Sequence, residues 1–309
     1  MKKSLPGVSA VIPTFNGKNR LFRLLNSLKK SNYLKLEVIV VDNSSTDDIL
    51  TEGRKIYKWV KWIYAGKKNI GQTGCYNLGF AHAKKNNHIL CIDDDVVADK
   101  DMILKLVEAI SSRPDIGIVI PMILYLSDKN WVNQAGANVN LITGKVKVGW
   151  GPKINFLEAK EVQNSGTVML YTRKVIDKIG GFEDWFLCYF DPEYCLRAKK
   201  AGFITWYTPS AIAYHDQSKD PNIWRPRVLT RAYLLGRNRV LFMRKHGNIL
   251  TFIFFIPFLL GYYLIETLRF GQFNKFFEMV FGTLVGFVYP LNNKSYLPLP
   301  KVRRSLWSR

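Results

Sequence analysis

The chain has 309 residues, long enough for one large domain or two small ones, and its 48% hydrophobic and 14% aromatic content is that of a packed globular protein, not a disordered or fibrous one. Its 45 Lys and Arg against 24 Asp and Glu give a formal net charge of +21, which points to an anionic partner: nucleic acid, a phosphate-bearing ligand or an anionic membrane surface. The cysteines Cys75, Cys91, Cys188 and Cys195 show no C-x-x-C spacing and no disulfide framework, and read as reduced thiols facing a cytoplasm.

In chain order, two lysines precede no long apolar stretch, so no signal peptide is read at the start. "VSAVIP" is a short strand rich in Val and Ile. Leu21, Leu24, Leu25 and Leu28 follow at i, i+3, i+4 and i+7, one face of a helix. "LEVIVVDNSSTDD" is a buried strand running into a polar turn, and "WIYAG" a third strand. "TGCYNLGFAHAKK" reads as a helix and "HILCIDDD" as the next strand. Ile103, Leu106, Val107 and Ile110 mark a further helix with Asp99 as its N-cap. "IGIVIPMIL" is again a strand. This alternation of near-continuous apolar strands with helices predicts a parallel sheet covered on both faces.

The middle is less regular. "NVNLITGKVKVGWG" predicts a hairpin with Gly144 in the turn. "SGTVMLYT" is a strand. "DPEYCLRAKKAGF" predicts a short helix with Asp191 at the N-cap, Pro192 in the first helical position and Gly202 ending it. "FITWYTPSAIAYH" returns as strand. Between Trp224 and His246 lie Arg225, Arg227, Arg231, Arg237, Arg239, Arg244 and Lys245, with no acid. Next, "ILTFIFFIPFLLGYYLI" has about 17 uncharged residues, the lower limit for a spanning helix. "MVFGTLVGFVYPL" is a shorter apolar stretch, and the end, "KVRRSLWSR", is basic. Basic flanks on both sides place both ends on the cytoplasmic face, which predicts a membrane-associated hairpin, re-entrant or interfacial. A helix buried in a soluble domain is the plainer alternative. The predicted organisation is a catalytic domain at 1–222, a basic amphipathic linker helix at 223–248, and a membrane-associated helical hairpin with a basic tail at 249–309.

Three adjacent carboxylates, residues 93–95, end the strand "HILC". Ligands of open parallel sheets bind beyond the carboxyl ends of strands. Like charges there become favourable when a divalent cation joins them, and oxygen ligands suit Mg²⁺ or Mn²⁺, which can in turn hold a diphosphate.

"VSAVIPTFN", "VIVVDNSSTDD", "NIGQTGCYNLGFAHA", "CIDDDV", "GGFEDWFLCYFDPEYCLRAKKAGF" and "YH" occur in this order. Together, over roughly residues 7–246, they resemble the inverting family-2 glycosyltransferases, most closely the rhamnosyltransferase-like branch. The resemblance implies an α/β fold of GT-A type, a Rossmann-like mixed sheet, followed here by hydrophobic helices. It implies that Pro13, Thr14, Phe15 and Asn16 lie against the nucleotide and that Asp42 bonds the base. Asn69, Gly71, Gly74, Asn77 and Gly79 match a glycine-rich pattern on the donor side. Asp93 and Asp95 match the outer positions of the D-x-D motif, with Asp95 on the metal and Asp93 or Asp94 on the ribose and metal shell. His215 matches a histidine that serves as a further metal ligand or touches the diphosphate. Each has a plainer structural reading: Asp42 as a turn former, the glycines as helix packing, His215 as a core histidine, Asp191 as a cap.

The family's base falls on Asp191, with Phe190 where a Glu is usual. Glu193 is the second candidate base. Asp184 is a more distant candidate base, and Asp184, Trp185 and Gly166 are implied on the acceptor side. Arg225, Arg227 and Arg231 are expected to collect the phosphate of a lipid-linked acceptor or of lipid headgroups. The predicted reaction moves one sugar from a nucleotide-diphosphate sugar to a hydroxyl of a membrane-associated, polyprenyl-linked glycan, with Mg²⁺ or Mn²⁺. No Q-x-x-R-W is present, so one addition per encounter is expected.

Two rivals share the fold. One is a non-catalytic, membrane-anchored nucleotide-sugar-binding module. The other is a nucleotidyltransferase, which would release pyrophosphate. Nucleic acid is not an expected partner, because no zinc, RRM-like or helix-turn-helix signature accompanies the charge. The sugar, the base and the oligomeric state stay open.

Overall fold

The computed structural model describes residues 5–164, 166–183 and 188–291. Strands and helices first alternate: β1 (Val8–Thr14), α1 (Lys18–Leu28), β2 (Leu36–Asp42), α2 (Ile49–Ile56), β3 (Lys61–Tyr64), α3 (Gly71–His82), β4 (His88–Ile92), β5 (Val96–Ala98), α4 (Met102–Ser111) and β6 (Ile116–Tyr125). Then come β7 (Trp131–Gln134), β8 (Ala137–Asn140), β9 (Lys145–Val148), β10 (Gly151–Pro152), β11 (Lys160–Val162), β12 (Val168–Tyr171), α5 (Arg173–Ile179), α6 (Phe190–Lys200) and β13 (Ile204–His215). The last helices are α7 (Pro221–Leu229), α8 (Ala232–His246), α9 (Phe252–Arg269) and α10 (Asn274–Val288).

β1 lies between β2 and β4 and runs parallel to both, and β2 is parallel to β3. Its side chains alternate between two cores. Val8, Ala10 and Ile12 pack toward α1, α2 and α4, whereas Val11 packs toward α3, α5 and α6. Both faces being covered is why the middles of β1, β2 and β4 are continuous apolar runs. α1 buries Leu21, Leu24, Leu25 and Leu28, each worth on the order of 2 kcal/mol.

The sheet as a whole is mixed, not purely parallel. β12 enters between β4 and β6, antiparallel to each. β13 is parallel to β6 and antiparallel to β5 and β11. β8 and β9 form the predicted hairpin, with Gly144 at φ +64° between them.

Two helix starts differ from the pattern. α4 begins after Asp101, and Asp99 instead accepts a bond from the Asp101 N–H at 2.9 Å. α6 begins at Phe190, so Asp191 and Pro192 lie inside the first turn, and Tyr189 stands at the N-cap. Gly202, at φ +89°, ends that helix as expected.

The expected single linker helix is two helices, α7 and α8, and α8 is not an amphipathic surface element: it buries Arg237 and Asn238 along with its apolar residues. The reason is that α8 is covered by α10 along its length. Glycines let the two backbones touch. A Cβ on Gly282 would fall 2.1 Å from the Tyr233 carbonyl oxygen, and one on Gly236 would fall 2.4 Å from that of Met279. α9 and α10 form a hairpin, with Phe252 at the start of one 5.6 Å from Phe287 near the end of the other. Among the described residues, Ile249–Arg269 is one helical stretch long and apolar enough to cross a membrane, by length and composition, and it is mostly not buried in the protein. Phe254, Ile265, Phe277, Phe281 and Leu284 leave an exposed apolar face on the hairpin. The basic tail expected at the end lies outside the described residues.

Candidate active site

β1, β2 and β4 end along one edge of the sheet, with Thr14 in register with Asp42 and Asp93 just beyond β4. Loops from that edge clamp one another. Asn16, at φ +48°, accepts the Thr46 N–H at 2.8 Å, and its own N–H donates to the Ser45 hydroxyl at 2.9 Å. Asp42 is buried and accepts the Ser45 N–H at 3.1 Å, and burial pushes its carboxyl up. Asn69 Oδ1 accepts from the Asn43 side chain and from the Gly71 N–H, both at 2.9 Å. Gly71 itself has φ +74°, which a side chain would resist. Phe15 is half exposed beside these loops. Thr14, Asn16, Asp42, Asn69 and Gly71 thus lie along this edge, and Asn77 does not. Both amide atoms of Asn77 bond the Phe182 backbone at 2.8 Å, so it fastens α3 to the segment before α6 instead of facing the edge. Gly79 packs α3 on β1, since a Cβ there would fall 2.1 Å from Val11.

The three carboxylates point three ways. Asp94 accepts the Thr14 hydroxyl at 2.6 Å and faces Arg20 Nε at 3.4 Å. A Cβ on Gly17 would fall 2.4 Å from its Oδ2, so the first loop comes close because residue 17 has no side chain. Asp93 accepts from Gln72 at 2.7 Å and from the Tyr76 hydroxyl at 2.8 Å. Asp95 turns to His215, whose Nε2 lies 3.3 Å from its buried Oδ1. His215 Nδ1 is bound by Asn133 at 3.0 Å, which fixes the ring with Nε2 outward. β13 brings His215 opposite Val96 by antiparallel pairing.

Among the described residues no three His, Cys, Asp or Glu side chains come together as a metal cluster. Asp93 is engaged by two residues of α3, Gln72 and Tyr76. Asp95 and His215 remain a fitting pair of ligands. A small hard cation takes one or two protein groups, with substrate phosphate and water filling the rest.

Asp93 instead shares a cavity of about 230 Å³ with Asp191, lined also by Gln72, Tyr76, Gln134, Gly166 and Arg231. Burial, then repulsion from Asp95, pushes Asp93 up to about 7. Burial, then Asp93, pushes Asp191 well above the carboxylate range. Burial works against ionised Asp95 too, but His215 outweighs it and holds that carboxyl below its usual value. A Cβ on Gly166 would stand 3.8 Å from Asp191 Oδ2, so the bare backbone there leaves room in front of the carboxylate. Gln134 Oε1 is buried nearby without a hydrogen bond. Gln72, Tyr76 and Gln134 were missed in the sequence; only the i, i+4 spacing of the first two hinted at a shared face.

Glu193 is excluded as a base by its position. Two residues after Asp191 on the helix, it points the other way, fully buried. Arg197 holds it with two bonds of 3.1 Å, Lys245 lies at 2.8 Å and His246 at 3.6 Å. Despite burial, these groups hold its carboxyl down at about 2. Arg225 is likewise taken up by both oxygens of Glu266 at 2.7 Å and is no free phosphate ligand. Arg227 is exposed, and Arg231 lies at the cavity. Asp184 and Trp185 lie outside the described residues.

The profile described as glycosyl transferase family 2 matches residues 9–180. The chain belongs to glycosyl transferase family 2. This family-2 chain is 24% identical over 273 residues to the probable glycosyltransferase YdaM of Bacillus subtilis, covering 82% of its own length and 64% of that protein's. It is 23% identical over 241 residues to the chondroitin synthase of Escherichia coli, covering 69% of itself and 35% of the relative. It thus spans less than two thirds of these relatives. Among solved structures it is similar to the mannosyltransferase PcManGT of Pyrobaculum calidifontis in complex with GDP-Man and Mn²⁺ (TM-score 0.56, 16% identity, 94% of this chain and 77% of that one). It is also similar to GalNAc-T7 with UDP, GalNAc and Mn²⁺ (TM-score 0.58, 16% identity, 94% and 59%). The mixed α/β fold is therefore of the GT-A type.

Proposed function

We propose that this chain is an inverting glycosyltransferase. It moves one sugar from a nucleotide-diphosphate sugar to a hydroxyl of a membrane-associated, polyprenyl-linked glycan. The observation that carries the reading is Asp191 facing a small cavity at the sheet's carboxyl edge, next to Asp93 and one strand end away from the Asp95–His215 pair.

The donor's nucleoside lies along Thr14, Asn16, Asp42 and Asp94. Asp95 and His215 would hold Mg²⁺ or Mn²⁺, which when bound neutralises charge on the departing diphosphate. Asp191 takes the proton of the acceptor hydroxyl as its oxygen attacks the anomeric carbon from the face opposite the leaving phosphate. The oxygen–carbon bond forms as the carbon–phosphate oxygen bond breaks, and one displacement inverts the centre. Gly166 and Gln134 border the acceptor hydroxyl's place, and Arg231 at the mouth meets an acceptor phosphate. The exposed apolar hairpin keeps this mouth at the lipid surface, with the catalytic domain on the cytoplasmic face.

The test is nucleoside-diphosphate release from a panel of nucleotide sugars by detergent-solubilised full-length protein, with Mn²⁺ or Mg²⁺, with and without a polyprenyl-linked acceptor. Cation-dependent release from one donor, stimulated by acceptor and lost in Asp95→Ala, supports the reading. Pyrophosphate release from a nucleoside triphosphate would replace it with a nucleotidyltransferase, and donor binding without turnover would replace it with a binding module.

A further inference from the structure

The turn that aims Asp191 is held in an unfavourable conformation. Cys188 and Tyr189, just before α6, have φ of +66° and +64°. Neither is a glycine, so the left-handed conformation is disfavoured at both and persists only where neighbours impose it.

Those neighbours come from α8. Asn238 Nδ2 donates to the Cys188 carbonyl at 3.2 Å. Arg239 Nε donates to the Tyr189 hydroxyl, which itself donates to the Gly144 carbonyl at 2.8 Å. The Arg239 guanidinium lies 5.3 Å from the Tyr189 ring centroid and 5.2 Å from that of Tyr263. Tyr263 belongs to α9. One cation therefore joins the turn before Asp191 to α8 and to the apolar hairpin. An isolated surface arginine would not be sandwiched between two tyrosines, nor would a membrane anchor need to touch the site.

We propose that Arg239 is a positioning residue for the transfer reaction: it locks the Tyr189 turn against α9 and so holds the Asp191 carboxylate in line with the acceptor hydroxyl. The inference rests on the reading of Asp191 as the base. A displacement of about 1 Å at a reacting group can cost on the order of 100-fold in rate, so a lock of this kind acts on turnover more than on donor affinity.

The experiment uses full-length protein in detergent and the donor and acceptor turned over by wild type. Arg239→Met is expected to lower kcat at least about tenfold while the donor KM moves less than about threefold. Arg239→Lys keeps the charge and loses the planar fork, and is expected to recover only part of the rate. Tyr189→Phe keeps the ring and loses the hydroxyl, with a smaller loss. In an Asp191→Asn background Arg239→Met should add no further loss, because it acts through that carboxylate. Wild-type kcat in Arg239→Met overturns the inference, as does a loss confined to KM, or one undiminished in Asp191→Asn. If Arg239→Met does not fold, Arg239→Lys and Tyr189→Phe decide by the same criteria. An inactive wild type, or an Asp191→Asn enzyme at full activity, would instead strike down the proposed function.

Discussion

His215 Nε2 stands 3.3 Å from Asp95 Oδ1, and the ring is turned to that position by Asn133. The two residues arrive from different strands, β13 and the end of β4, and meet because β5 pairs with β13. On the proposed reading this pair would hold the small cation at the sheet edge.

Asp95→Ala is therefore expected to abolish cation-dependent binding of a nucleoside diphosphate, and His215→Ala to weaken it. Removing one ligand's support typically costs about 10–100-fold in metal affinity. Titration with Mn²⁺ in the presence of the nucleotide, followed by calorimetry, measures both. Equal affinity in Asp95→Ala and wild type would rule the seat out.

Asp191→Asn is expected to lose about 10²–10⁴-fold in transfer rate while donor binding persists, the size of a lost general base. Glu193→Gln should show the opposite division. Breaking one partner of a buried ion network costs about 3–5 kcal/mol of stability. Denaturant midpoints and kcat, measured on both variants, separate the two carboxylates.

The same network sets an acid limit. The folded Glu193 carboxyl titrates at about 2, below its reference value of 4.5, because His246, Arg197 and Lys245 outweigh burial. A depressed folded pKa means that this stabilisation is fully present above about 4.5 and is lost as pH falls toward 2. The stability gap between wild type and Glu193→Gln should thus be wide at pH 6 and narrow progressively below pH of about 4. A gap that stays constant down to pH of about 3 would contradict the assignment.

A Cβ on Gly166 meets Gln134 Oε1 at 3.5 Å and Asp191 Oδ2 at 3.8 Å, ordinary contacts. Gly166→Leu should accordingly fold but fill the cavity of about 230 Å³. The expected result is a raised acceptor KM with donor binding near wild type. A variant with unchanged acceptor KM would move the acceptor elsewhere.

Asn77→Ala offers a contrast on the donor side. Its amide serves the Phe182 backbone twice, so its loss leaves a part-buried N–H and C=O unpaired, at about 1–3 kcal/mol. The thermal midpoint should fall, with nucleotide affinity within about twofold of wild type. A selective loss of nucleotide binding would restore the role suggested by the glycine-rich pattern.

Much of this molecule is fixed by local sequence. The periodicity of Leu21, Leu24, Leu25 and Leu28 and the apolar runs before Asp42 and Asp93 determine which segments are helix and strand, because a face buried at 3.6- or 2-residue spacing has no other conformation that covers it. The ends of those strands locate the edge where ligands bind. What periodicity does not carry is the direction of a side chain or the partner it meets from far along the chain. Three consecutive aspartates look equivalent in sequence, yet one goes to Tyr76, one to Thr14 and one to His215, since successive residues leaving a strand point in different directions. Asp191 and Glu193 likewise share a motif and part company by a half-turn of helix, one to the cavity and one to an ion network. The antiparallel insertion of β12, the burial of α8 and the Arg239 link from α9 to the Asp191 turn are all long-range pairings. Their free energy comes from surfaces that exist only once both partners have folded, so only the tertiary structure could decide them.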